Sequence, residues 1–181
     1  MKDIQVLLVV ETNSLVRSDD AYYSWILKNF FTKYISSSGQ DGLRIRYKFI
    51  YMDGKTNYNS PSVKHDILIA INEFQSIGTT QVVYCFDIDN KTKKNTNFIS
   101  TIEGYCLTNN YYLSIAYREI EDVLNVPEGG SKHDRVILFG QHHPKKSAFD
   151  KGRFFTEYQD VTKKQGQTNF GLVINSIIGR E

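Results

Sequence analysis

Along residues 4–10, IQVLLVV, apolar side chains follow one another with almost no alternation, the pattern of a strand buried on both faces of a parallel sheet. Glu11 ends the run, and TNSLVRSDD reads as a loop. Ser18 or Asp19 then caps a helix predicted to reach about Tyr34, with Tyr22, Trp25, Ile26, Phe30 and the aliphatic carbons of Lys33 along one face. The turn segment SSSGQDG stops it. Residues 43–52, LRIRYKFIYM, alternate apolar and basic side chains before turning wholly apolar, which predicts a strand nearer the sheet edge. Pro61 and Ser62 open a second helix, with Val63, Ile67, Ile71 and Phe74 at helical spacing and Gly78 closing it.

Residues 81–86, QVVYCF, form the next apolar strand, followed by a helix around residues 97–107 with Phe98, Ile102 and Tyr105 inward. YYLSIAY, residues 111–117, is a further strand. The alternation of strand and helix predicts an α/β protein: a three-layer α/β/α arrangement, Rossmann-like, around a mostly parallel central sheet of about four strands with right-handed crossovers. Beyond it, RVILFG reads as a strand or a short helix, and QHHPKKSAFDKGRFF as mostly loop. TNFGLVINSII reads as a terminal helix packing Phe170, Leu172, Val173, Ile174, Ile177 and Ile178.

Composition narrows the class. A chain of 181 residues, 40% hydrophobic and 23% charged, can bury a core as one domain over residues 1–181. No run approaches membrane-spanning length, and MKDIQVLLVVE reaches an acid too soon for a signal peptide, so a cytoplasmic protein is expected. Cys85 and Cys106 are too few and too far apart for a zinc site or a disulfide framework. Twelve Tyr and eleven Phe exceed what a core alone needs, so some rings reach the surface. The net charge is only +2, but residues 126–181 form a basic C-terminal extension. There Lys132, Arg135, Lys145, Lys146, Lys151, Arg153, Lys163 and Lys164, with His133, His142 and His143, outweigh Asp134, Asp150, Glu157 and Asp160. A solvated surface and an anion-binding surface fit that segment equally well.

The acids carry more information. Glu11, Asp87, Asp89, Glu119 and Glu121 are all expected just past strand carboxyl ends, where α/β sheets collect function. Carboxylates gathered there repel one another unless a cation offsets them. Magnesium or manganese suits oxygen ligands. With one residue between them, Asp87 and Asp89 can face one ion, and Glu11 can complete the site or act as base. Taken singly, each acid has a plain structural explanation as a solvated loop residue, a turn or helix cap, or a first-turn acid favoured by the helix dipole. Their coincidence at three strand ends favours function.

Three segments then carry a family resemblance. LLVVE at residues 7–11, VVYCFDID at 82–89 and IEDVL at 120–124 resemble the successive motifs of the TOPRIM (topoisomerase-primase) domain, over roughly residues 1–125. The flavour is that of the OLD (overcoming lysogenization defect) nucleases and RloB-like bacterial defence proteins. The resemblance implies a divalent-metal-dependent nuclease that hydrolyses phosphodiesters in DNA or RNA with Mg²⁺ or Mn²⁺, in bacterial or phage defence. It implies that Glu11 is general base or acid or joins the metal site, that Asp87 and Asp89 bind metal, and that Glu121 is the later acid, with Glu119 competing. Thr12 stands where the family commonly has glycine. On this reading Lys145, Lys146, Lys151 and Arg153 hold a nucleic-acid backbone, with nearby Tyr and Phe for stacking. An ATPase partner protein is implied too, and self-association into a homo-oligomer is compatible with it.

Two other classes compete. FDIDNKT resembles the DxD loop of haloacid-dehalogenase-type phosphatases, in which the first aspartate is a nucleophile. That family places Thr or Val two residues after the second Asp, where this chain has Lys91, with Thr92 one residue late. A non-catalytic TOPRIM-like module that binds nucleic acid or protein is the other alternative.

Overall fold

The computed structural model describes residues 2–36, 39–88, 93–127, 129–141 and 150–179. Its fold is α/β, a five-stranded, mostly parallel sheet flanked by helices, as a three-layer α/β/α fold requires. The strand order is β2-β1-β3-β4-β5, so it reverses between β1 (Lys2–Val10) and β3 (Gly78–Ile88). The chain divides into two units, Met1–Tyr84 and Cys85–Glu181, with the boundary inside β3. Among the described residues no helix is long and apolar enough to cross a membrane.

In the first unit, β1 is buried at every position from Asp3 to Val10, as its unbroken apolar run predicts. It pairs in parallel with β2 (Leu43–Tyr51) on one side and with the start of β3 on the other. Only β1 flanks β2, so β2 is the sheet edge, and its burial alternates. The cations of that edge are occupied: Arg44 and Arg46 both pair with Asp3, at 2.5 and 3.2 Å, and Lys48 pairs with Glu73 at 3.2 Å.

Asp3 is itself buried, and hydrogen bonding to Arg44, with the charges of both arginines, holds its carboxyl below the ordinary carboxylate range. A depressed folded-state pKa contributes stability that is complete above the unfolded value near 3.9 and disappears as pH falls through the folded value. The stability gap between the wild type and Asp3→Asn is therefore expected to be widest above about pH 4 and to close in stronger acid, as read from urea midpoints along a pH series.

Several boundaries in the first unit differ from expectation. The first helix is not continuous to Tyr34 but breaks at Phe31 into α1 (Ser18–Phe30) and α2 (Thr32–Ile35). The break buries Phe31 and Tyr34 and leaves Lys33 exposed, so the lysine does not pack along the α1 face. Neither Ser18 nor Asp19 caps α1. Asn13 Oδ1 accepts from the Leu15 and Val16 amides, the Arg17 N–H closes on the Asn13 carbonyl at 3.2 Å, and Arg17 takes the cap position with φ 51°.

The third difference concerns Gly78. Helix α3 (Pro61–Phe74) ends with Gln75 still in the helical region, and Gly78 is the first residue of β3 rather than a helix stop. A Cβ at Gly78 would fall on the Asp3 carbonyl oxygen, so the close approach of β1 dictates glycine there. At the other end of α3, Ser60 Oγ accepts from the Val63 amide at 3.3 Å, and Pro61 follows as the first helical residue. Ser60→Ala is expected to cost about 1 kcal/mol in urea unfolding, with the slope unchanged.

The second unit contains the end of β3, α4 (Lys93–Thr108), β4 (Tyr112–Tyr117), α5 (Ile120–Val123) and α6 (Lys132–Gln141). Two short 3₁₀ turns follow, Lys151–Phe154 and Tyr158–Lys163, then β5 (Gln167–Thr168) and α7 (Phe170–Ile177). RVILFG lies in a helix, α6. The terminal helix is present, with Phe170, Val173, Ile174 and Ile177 buried and Leu172 half-buried. Strand β5 was not expected: it is two residues long and antiparallel to β4, with Tyr117 opposite Gln167. Asn169 extends that edge with its side chain, accepting from the Ile115 amide at 2.8 Å and donating to the Leu113 carbonyl at 3.0 Å.

Candidate functional site

Glu11 directly follows β1 and is half-buried. Its main chain is fixed: the Gly54 amide donates to the Glu11 carbonyl at 2.8 Å, and the Met52 amide donates to the Val10 carbonyl at 2.9 Å. The loop leaving β1 is thus tied to the loop leaving β2. Beside it, Tyr51, the last residue of β2, donates its hydroxyl to Asp20 Oδ2 at 2.5 Å, and the Arg17 guanidinium lies 5.6 Å from the centre of the Tyr51 ring. Burial raises the Asp20 carboxyl above its ordinary value, against the opposing pull of Tyr51 and Arg17. Burial, and then the bond to Asp20, push the Tyr51 hydroxyl up to about 12. No motif in the sequence singles out this trio. Its one visible signal was an acid in the first turn of a helix that starts after a β1 loop.

Asp87 does not lie past its strand. Strand β3 continues to Ile88, two residues beyond the expected end, so Asp87 is its last residue but one and is half-buried. The reason is burial: Ile88 packs with Ile115 and Val161 in the core of the second unit, which holds the chain extended. Asp89, Lys145 and Lys146 lie outside the described residues, as do His142 and His143. Lys151 opens a 3₁₀ turn in which Arg153 donates to Asn125 Oδ1 at 2.5 Å.

Glu119 and Glu121 are brought together by Arg135, which no motif in the sequence marks out for that role. Glu119 occupies the N-cap position of α5 in extended conformation, and its side chain accepts from Arg135 Nη1 at 3.1 Å. Glu121 lies inside α5 with its side chain only 1% exposed, and Arg135 Nη2 stands 3.8 Å from its Oε1. One guanidinium on α6 therefore serves two carboxylates. Glu119, a third exposed, is the more open of the two to an incoming ligand.

Glu11 and Asp87 are half-buried carboxylates, the hard oxygen donors that Mg²⁺ and Mn²⁺ take. Among the described residues no three His, Cys, Asp or Glu side chains converge as a metal-binding group, and Asp89 is not among those residues. No family model, curated protein or solved structure matches the chain.

Proposed function

We propose that this chain is a divalent-metal-dependent nuclease of TOPRIM type, in which Glu11, Asp87 and Asp89 hold Mg²⁺ or Mn²⁺. One observation chiefly supports the reading. Glu11 directly follows β1 and Asp87 is the last residue but one of β3, and these are the two strands that flank the reversal in strand order. In α/β sheets of this order, ligands bind outside the carboxyl ends of the strands at the reversal. The resemblance of the three motifs supplies the reaction class.

A bound ion would polarise the phosphate and lower the pKa of the attacking water. Glu11, on a loop fixed by main-chain hydrogen bonds, either completes the ion's ligand set or, standing off the ion, accepts that water's proton. Arg135 holds Glu119 and Glu121 in position on their side of the chain. The lysines of the C-terminal segment would contact the nucleic-acid backbone. Action in bacterial or phage defence, with an ATPase partner, belongs to the same proposal.

The test is cleavage of labelled single- and double-stranded DNA and RNA with Mg²⁺ or Mn²⁺, with a chelator control. Chelator-sensitive cleavage of one substrate class supports the proposal and names the substrate. If the purified chain binds nucleic acid and cleaves none, the binding-module class takes its place.

A further inference from the structure

The second unit carries a pocket of about 400 Å³, lined chiefly by Asp122, Asn125, Arg153, Lys164, Gln165 and Gly166. That volume lies in the range of small-molecule sites, roughly 300–1,000 Å³. Arg153 spends one nitrogen on Asn125 and forms no ion pair among the described residues, which leaves the rest of its donor fork for a ligand. Lys164 also has no ion-pair partner among the described residues, whereas its neighbour Lys163 is neutralised by Asp160 at 2.5 Å. Gly166 keeps the space open. Its φ is +71°, its amide is fixed to the Tyr117 carbonyl at 2.5 Å, and a Cβ there would come within 3.0 Å of the Asp122 carbonyl and 3.4 Å of Arg153 Nη2.

Two cations facing one pocket select an anion, and a planar guanidinium beside an ammonium matches the oxygens of a phosphate. The pocket also holds the Asp122 carboxylate, one oxygen of which accepts from Gln165 Nε2 at 3.1 Å. A bare polyanion is a poor fit beside that charge. A ligand carrying hydroxyl or amino donors next to its phosphate satisfies both signs.

We propose that this pocket binds a nucleoside monophosphate, free or at the end of a strand, with Arg153 and Lys164 on the phosphate and Asp122 accepting from a sugar hydroxyl or base amine. Choosing a nucleotide over another phosphate ester rests on the nuclease reading, whereas the phosphate contact rests on the pocket alone.

The test is calorimetric titration of the full chain in EDTA with AMP, with inorganic phosphate, and with one oligonucleotide bearing or lacking a 5′-phosphate. Saturable AMP binding is expected, tighter than that of inorganic phosphate, and weakened about tenfold or more by Arg153→Met and by Lys164→Gln. Lys164 is exposed, so its variant carries the test even if Arg153→Met fails to fold. The oligonucleotide pair separates the two sources: affinity that depends on the 5′-phosphate assigns a strand end, and affinity for AMP alone assigns the free nucleotide. No AMP binding, binding indifferent to both substitutions, or binding no tighter than that of inorganic phosphate would overturn the proposal. Asp87→Asn is expected to bind AMP as the wild type does. If the chain cleaves nothing while AMP still binds, the nuclease reading fails and the phosphate pocket stands.

Discussion

On the proposed metal site, replacing Asp87 by asparagine is expected to lower metal-dependent cleavage at least about 100-fold while leaving the fold intact. Groups that only touch a metal's ligands already cost 10–100-fold when mutated, so removing a ligand's charge should cost no less. The substitution keeps size and shape, and Asp87 is only half-buried near the end of β3, so Asn fits the strand. Circular dichroism is therefore expected to match the wild type. Cleavage that survived the change would place the activity elsewhere or in a contaminant. A phosphoaspartate trapped at Asp87 would point instead to phosphatase chemistry.

The second large effect concerns stability. Arg135→Met is expected to destabilise the chain by about 3 kcal/mol, because it removes a cation from the fully buried Glu121 and from Glu119 together. The figure lies at the low end for a broken buried ion pair, since the Glu121 contact is long at 3.8 Å. Arg135→Met combined with Glu121→Gln should recover part of the loss, because the buried charge goes with its partner. Chemical denaturation of the four proteins in this cycle measures the coupling. Equal stability of wild type and Arg135→Met would mean that the guanidinium does not hold these acids.

The parts of the fold that could be read from the chain are those whose burial repeats over many residues. The continuous apolar run of β1, the alternation of β2 and the amphipathic spacing of α3 each reflect one environment held for a whole element. What could not be read depends on single contacts between distant residues. Strand β5 has two residues and no period, and its edge is completed by the Asn169 side chain. Gly78 resembles a helix stop in sequence, yet its reason is the carbonyl of Asp3 on the neighbouring strand. The candidate site divides in the same way. The position of Glu11 just after β1 is legible because that strand ends sharply, whereas Asp87 is expected past its strand because Ile88 gives no sign that burial extends β3. The grip of Arg135 on Glu119 spans 16 residues, from a helix whose short apolar run left its type open.

The most direct measurement of the central claim is Mn²⁺ binding, followed by the paramagnetic resonance of the free ion, in the wild type and in Asp87→Asn. The account predicts saturable binding by the wild type, displaced by Mg²⁺, and its loss in the variant. No saturable binding by the wild type, or equal binding by both proteins, would contradict the assignment of these strand-end carboxylates to a metal.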